Sequence, residues 1–119
     1  MVVPITVLIV DDHPSFRASA RLLLESEGYE VVGEAEDGAS ALARSRELRP
    51  DLVLLDVQLP DMDGCDLAGR LSGQPGGPAV ILTSSRDVSD YGQCVADSGA
   101  RGFIPKGELS GASLAGVLR

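Results

Sequence analysis

Five residues with reactive side chains each stand directly after an apolar or β-branched run. Asp11 and Asp12 follow Ile5–Val10, Asp56 follows Leu52–Leu55, Thr83 follows Ala79–Leu82 and Lys106 follows Gly102–Pro105. Together they offer three carboxylates, one hydroxyl and one ammonium. Converging carboxylates call for a divalent cation, and hard oxygen ligands completed by water suit Mg²⁺. A hydroxyl and an ammonium beside such a cation make a pocket for a phosphoryl group. Positive charge neutralises what grows on the equatorial oxygens in the transition state, and the hydroxyl donates a hydrogen bond. One carboxylate can then attack phosphorus as a nucleophile and form an acyl phosphate.

That chemistry requires elements that bring the five residues to one place. Leu52-Val53-Leu54-Leu55 is apolar without alternation, so it reads as a strand buried on both faces, as in a parallel sheet. Four further strands are expected at Ile5–Val10, Tyr29–Ala35, Ala79–Thr83 and Gly102–Pro105. Helices are expected between and after them. The first spans Pro14–Glu27, with Phe16, Ala20, Leu23 and Leu24 on one face and Gly28 as its left-handed terminator. The second spans Ala39–Leu48 after the Asp37-Gly38 turn, with Ala39, Leu42, Ala43 and Arg46 sharing a face and Pro50 as the stop. Short helices follow at Cys65–Leu71 and Val88–Ser98; the latter, weakly patterned and holding Gly92, is expected to be the least stable. The last spans Gly111–Leu118, capped by Ser110, with Leu114, Val117 and Leu118 as its apolar stripe.

Five strands alternating with five helices imply a parallel sheet covered on both faces through right-handed crossovers. In such a sheet all the carboxyl ends lie along one edge, where open α/β folds place their ligands. The five residues therefore converge. Each has an ordinary reading by itself: a surface lysine, a strand-forming threonine, a turn aspartate, or an Asp12 or His13 that caps the helix opened by Pro14. Their joint placement at strand ends favours a site.

The chain has 119 residues and a net charge of −8, which suits one domain and argues against a nucleic-acid surface within it. Aromatic residues are scarce, so Val, Ile, Leu and Ala must build the core. Cys65 and Cys94 lack CxxC spacing and no signal peptide is visible, so they read as reduced thiols in a cytoplasmic protein. No apolar run approaches the roughly 18–20 residues of a membrane span.

The constellation Asp11-Asp12, Asp56 with Pro60 and Gly64, Thr83, and Phe103 with Lys106 resembles the receiver domain of two-component response regulators over essentially the whole chain. Asp11-Asp12-His13-Pro14 and Gly102-Phe103-Ile104-Pro105-Lys106 are similar to the branch with a helix-turn-helix DNA-binding output domain. The resemblance implies a flavodoxin-like (βα)5 fold with strand order 2-1-3-4-5 and one receiver domain over residues 1–119, its output domain outside this chain. It implies a phosphoryl group taken from a sensor histidine kinase onto Asp56. It implies Mg²⁺ held by Asp12, Asp56 and the backbone carbonyl of Gln58, with Asp11 acting mainly through water. Lys106 would pair with the phosphoryl group or the acids. Thr83 would move toward the phosphoryl oxygen and Phe103 would rotate inward, so that the helix 4–strand 5–helix 5 face changes and controls transcription. The implied protein is a regulatory phosphoacceptor rather than an enzyme with an external substrate. It catalyses its own phosphotransfer and slow dephosphorylation, and reaches DNA only through the output domain. A homodimer would use helix 1 with helix 5, or the helix 4–strand 5–helix 5 face.

The sequence departs from the common pattern in three places. Gly107 rather than proline follows Lys106, so no cis peptide is assumed there. Phe103 lacks the hydroxyl of the commoner tyrosine, and Gln58 and Ser85 occupy positions that tune phosphoryl lifetime. His13, the one histidine, reads as a helix cap or a rim residue rather than a phosphorelay residue. Two other readings compete. A haloacid-dehalogenase-type phosphatase needs a second Asp two residues after the nucleophile, where Gln58 stands, and usually a cap domain. A degenerate receiver acting only as a binding module is opposed by the intact acids, Thr83 and Lys106.

Overall fold

The structure, a computed structural model, describes residues 3–85 and 91–118. Its centre is a five-stranded parallel sheet. β1 (Thr6–Val10) lies between β2 (Glu30–Ala35) and β3 (Leu52–Asp56), and β4 (Ala79–Ser84) and β5 (Gly102–Pro105) extend it beyond β3, giving the order β2-β1-β3-β4-β5. The apolar runs are buried on both faces, as their lack of alternation requires. Leu8, Val10, Val53, Leu55, Val80 and Leu82 face α2 (Gly38–Leu48), α3 (Gly64–Ser72) and α4 (Gly92–Asp97). Val7, Ile9, Leu52, Leu54, Ile81 and Ile104 face α1 (Pro14–Ser26) and α5 (Gly111–Leu118), whose Ala20, Leu24 and Leu114 complete the second core. This is the doubly wound arrangement expected of five alternating strands and helices.

Local signals set the helix ends. Gly28 takes φ +92° after α1, a conformation that suits glycine. Asp37 caps α2 in a reciprocal box with Ser40. Ser110 accepts from the Ser113 amide at 3.0 Å before α5, and Ser113 Oγ accepts from the Ser110 amide at 2.9 Å. A 3₁₀ turn at Lys106–Glu108, not anticipated, separates β5 from α5. Residues 88–90 of the expected fourth helix lie outside the described residues, and the described helix is Gly92–Asp97.

Two expectations need correction, and one glycine is explained by packing. The α2 face holding Ala39, Ala43 and Arg46 turns to solvent; Gly38, Ala41 and Ser45 are the buried set, with Leu42 at its margin. Short side chains pattern α2 too weakly for sequence to identify its inner face. Gly64 is required for space, not for an unusual φ. A Cβ there would stand 2.6 Å from the Val57 Cα, because the Gly64 amide donates to the Val57 carbonyl at 2.7 Å. Finally, Cys65 and Cys94 are joined as a disulfide. They are 29 residues apart in sequence, but the first turn of α3 lies beside α4 and brings their Cα atoms to 5.9 Å. CxxC spacing is unnecessary when topology supplies the proximity.

Every described peptide bond is trans. Among the described residues, no helix is long and apolar enough to cross a membrane.

Candidate functional site

The carboxyl ends of β1, β3, β4 and β5 bring the predicted residues to one edge. Register fixes this: Val10 pairs with Leu55, and Asp56 pairs with Thr83. Asp11 is fully buried and Asp56 is 3% exposed, so two carboxylates sit at the edge of an apolar core. Unpaired, such charges are costly. Lys106 answers both. Its Nζ lies 2.7 Å from Asp11 Oδ2 and 3.3 Å from Asp56 Oδ2, and its stem brings the ammonium 4.5 Å from the Phe16 ring centre.

Each acid is also fixed by backbone donors. Asp56 Oδ1 accepts from the Gln58 amide at 3.1 Å, and Asp11 Oδ1 accepts from the His13 amide at 2.8 Å. The His13 ring stands over the rim, with Nδ1 3.0 Å from Asp11 and 3.1 Å from Asp12. His13 occupies the α1 N-cap position but makes no side-chain cap bond. It is a rim residue, and Asp12 beside it is exposed.

Electrostatics follow from this geometry. Burial pushes the Asp56 carboxyl above its ordinary value and Asp11 adds to the rise; the Gln58 amide and Lys106 oppose it without cancelling it. Burial works against the Lys106 ammonium, yet its contacts with Asp11 and Asp56 prevail and raise its pKa. Asp11 Oδ2 is buried with the Lys106 charge 2.7 Å away, and among the described residues it accepts no well-formed hydrogen bond. Candidate ligand atoms of Asp11, Asp12, His13 and Asp56 all fall within 4.8 Å of one another. Three clustered acids, two of them on one ammonium and one with a buried oxygen that accepts no well-formed hydrogen bond among the described residues, fit a hard divalent cation.

Thr83 is fully buried, and its Oγ1 has no hydrogen-bond partner among the described residues. A buried hydroxyl without a partner is uncommon and points to a group it is built to meet. Phe103 is half-buried against Tyr91, with ring centres 6.2 Å apart. The Tyr91 hydroxyl is also buried without a partner among the described residues. Gln58 is exposed, and a bridge to Asp63 closes its loop.

Other contributors were not anticipated. Arg17 donates to the Asp11 carbonyl at 2.6 Å and is itself held by Glu34, which also binds Arg21. Asp61 accepts from the Gly38 and Ala39 amides at 2.8 and 3.0 Å, docking the loop after β3 onto the start of α2. The position of Arg17, one turn after His13 on a helix that opens at a strand end, was the available signal. Phe16 and Tyr91 carried none beyond being aromatic. A surface depression of about 460 Å³ between Arg46, Arg49 and the Gly/Pro loop holds none of these residues.

The chain matches the response regulator receiver domain over residues 7–114. It belongs to that family. The receiver is 39% identical over 102 residues to the virulence-factor transcription regulator BvgA of Bordetella pertussis, covering 86% of this chain and 49% of that protein. It is 36% identical over 101 residues to the DNA-binding transcriptional activator EvgA of Escherichia coli, covering 85% and 50%. Among solved structures, the signal receiver domain of the response regulator NarL from Mycobacterium tuberculosis superposes with a TM-score of 0.83 at 35% identity, covering 97% of each chain. The receiver thus spans about half the length of these two transcription regulators.

Proposed function

We propose that the receiver is a switch operated by phosphorylation of Asp56, the phosphoryl donor being a phosphohistidine on a sensor kinase. An Asp56 oxygen attacks phosphorus, the phosphorus–nitrogen bond to the donor histidine breaks, and an acyl phosphate forms on Asp56. Asp12, Asp56 and the Gln58 carbonyl would hold Mg²⁺, with Asp11 acting through water. Bound there, the ion supplies charge neutralisation for the phosphoryl oxygens. Lys106 then exchanges part of its contact with Asp56 for a phosphoryl oxygen, and the Thr83 hydroxyl donates to another. Phe103 fills the space that Thr83 leaves, altering the α4–β5–α5 face. The same groups permit slow loss of the phosphoryl group to water, so turnover is of the receiver itself.

What supports this most is a single arrangement: two buried carboxylates from different strands on one ammonium, beside a buried hydroxyl with no partner among the described residues. Relatives that are transcription regulators support an output on DNA through a further domain. We infer in addition a cytoplasmic regulator that dimerises on the α1–α5 or the α4–β5–α5 face. A phosphatase reading is disfavoured by Gln58, which cannot serve as a general acid.

The test is intact mass after incubation with Mg²⁺ and acetyl phosphate. Wild type should gain one phosphoryl group; Asp56→Asn and an EDTA control should gain none. A gain in Asp56→Asn, or steady hydrolysis of an external phosphate ester, would contradict the proposal.

A further inference from the structure

We propose that Cys65 and Cys94 are a reversible thiol–disulfide site, worked by low-molecular-weight disulfides, that fastens α4 to the loop carrying Asp56. The Cα separation of 5.9 Å lies within the roughly 4.4–6.8 Å span that a disulfide bridges without backbone movement. The two cysteines sit on elements held very differently. Cys65 is buried in the first turn of α3; its amide donates to the Asp63 cap at 2.7 Å, and the preceding Gly64 amide donates to Val57. It is thus fixed to the end of the loop after Asp56. Cys94 is half-buried on α4, a helix with no buried residue and no side-chain N-cap bond. Three residues before it, Tyr91 rests on Phe103. The bridge therefore runs from the acceptor loop to the helix whose start touches β5.

Access sets an order of events. Cys94 is the more exposed thiol, so its thiolate attacks an external disulfide RSSR, giving a mixed disulfide and one thiolate of R. Cys65, buried in the first turn of α3, is within bridging distance of Cys94. It attacks the Cys94 sulfur of the mixed disulfide, forms the internal bridge and expels the second thiolate of R. The two cysteine protons end on two molecules of RSH, and RSSR takes the two electrons that the cysteines lose. Excess RSH reverses both steps. With the bridge closed, α4 cannot leave α3, so the change that phosphorylation of Asp56 drives there is blocked. That last consequence rests on the switch proposed above.

The test uses the whole chain, reduced and then incubated with oxidised glutathione. The expected mass change is the loss of two hydrogens with no glutathione retained, reversed by a reductant, and Cys94→Ser and Cys65→Ser should show no such loss. Amide exchange within Gly92–Asp97 should slow by about tenfold or more in the bridged form. Persistence of a glutathione adduct in wild type, absence of any oxidation, or equal α4 exchange in both forms would overturn the site. These readings need neither Mg²⁺ nor acetyl phosphate, so they stand if Asp56 accepts no phosphoryl group. If Asp56 does accept one, α4 exchange should respond to acetyl phosphate in the reduced form only. An equal response in both forms would overturn the fastening.

Discussion

α3 and α4 lie side by side on one face of the sheet and are held in opposite ways. α3 buries Gly64, Cys65, Leu67, Ala68 and Leu71 and starts under a bond from its Asp63 cap. α4 buries none of its residues and starts without a side-chain cap. A fully buried leucine contributes about 1.5–3 kcal/mol, so Leu67 and Leu71 give α3 an apolar anchorage that no fully buried side chain of Gly92–Asp97 matches. Under the proposed switch, the difference divides the labour. α3 ends the loop that presents Asp56, and a nucleophile must be in place before its reaction. α4 adjoins Phe103, where the proposed response would propagate, and a responsive element must be inexpensive to move.

The largest expected effect removes the bridge between the two. Closing a loop of 29 residues restrains the unfolded chain by about 3.5 kcal/mol. Cys94→Ser should lower the urea stability of the oxidised protein by about that much and leave the reduced protein almost unchanged. Next, Leu67→Ala in α3 should cost about 3 kcal/mol, whereas Val95→Ala in α4 should cost under about 1 kcal/mol. Equal losses in the two melts would dissolve the contrast.

Lys106→Met should follow, at about 2 kcal/mol, because it leaves two buried carboxylates without their cation. The Lys106 pKa is raised, so its contribution is present below the ordinary value of 10.5 and fades as pH rises through the folded value. Thermal melts should therefore show wild type approaching Lys106→Met only in strong alkali.

The smallest expected effect has the opposite sign. Asp56 has a raised pKa, so the folded state binds its proton more tightly than the unfolded state does. Stability then falls as pH rises from the ordinary carboxylate value of 3.8 through the folded value. Asp56→Asn should thus be more stable than wild type at neutral pH, by less than any of the losses above. The gain should vanish as the pH is lowered toward 3.8. A stability loss at neutral pH would mean that Asp56 is structural rather than poised for chemistry.

Much of this was legible in the sequence because two signals were strong. Unbroken apolar runs at Leu52–Leu55 and Ala79–Leu82 announce doubly buried strands, and an acid or hydroxyl after such a run must lie at the functional edge. Convergence of Asp11, Asp56 and Lys106 follows from parallel topology alone. What stayed hidden depends on proximity that periodicity does not encode. The Arg17–Glu34 clamp joins a helix to a neighbouring strand, and the Cys65–Cys94 bridge joins two helices across an intervening strand. The inward face of α2 was obscured because alanine and serine serve either side of a helix. The constraint on Gly64, the backbone that passes against it, is likewise a matter of proximity.

The central claim is that Asp56 is the phosphoacceptor. Borohydride reduces an acyl phosphate to an alcohol and so marks the carboxylate that carried it. After Mg²⁺ and acetyl phosphate treatment, peptide mapping should find that mark on Asp56, with Asp11 and Asp12 unchanged. A mark on Asp11 or Asp12, or no mark on a protein whose mass shows phosphorylation, would contradict the account.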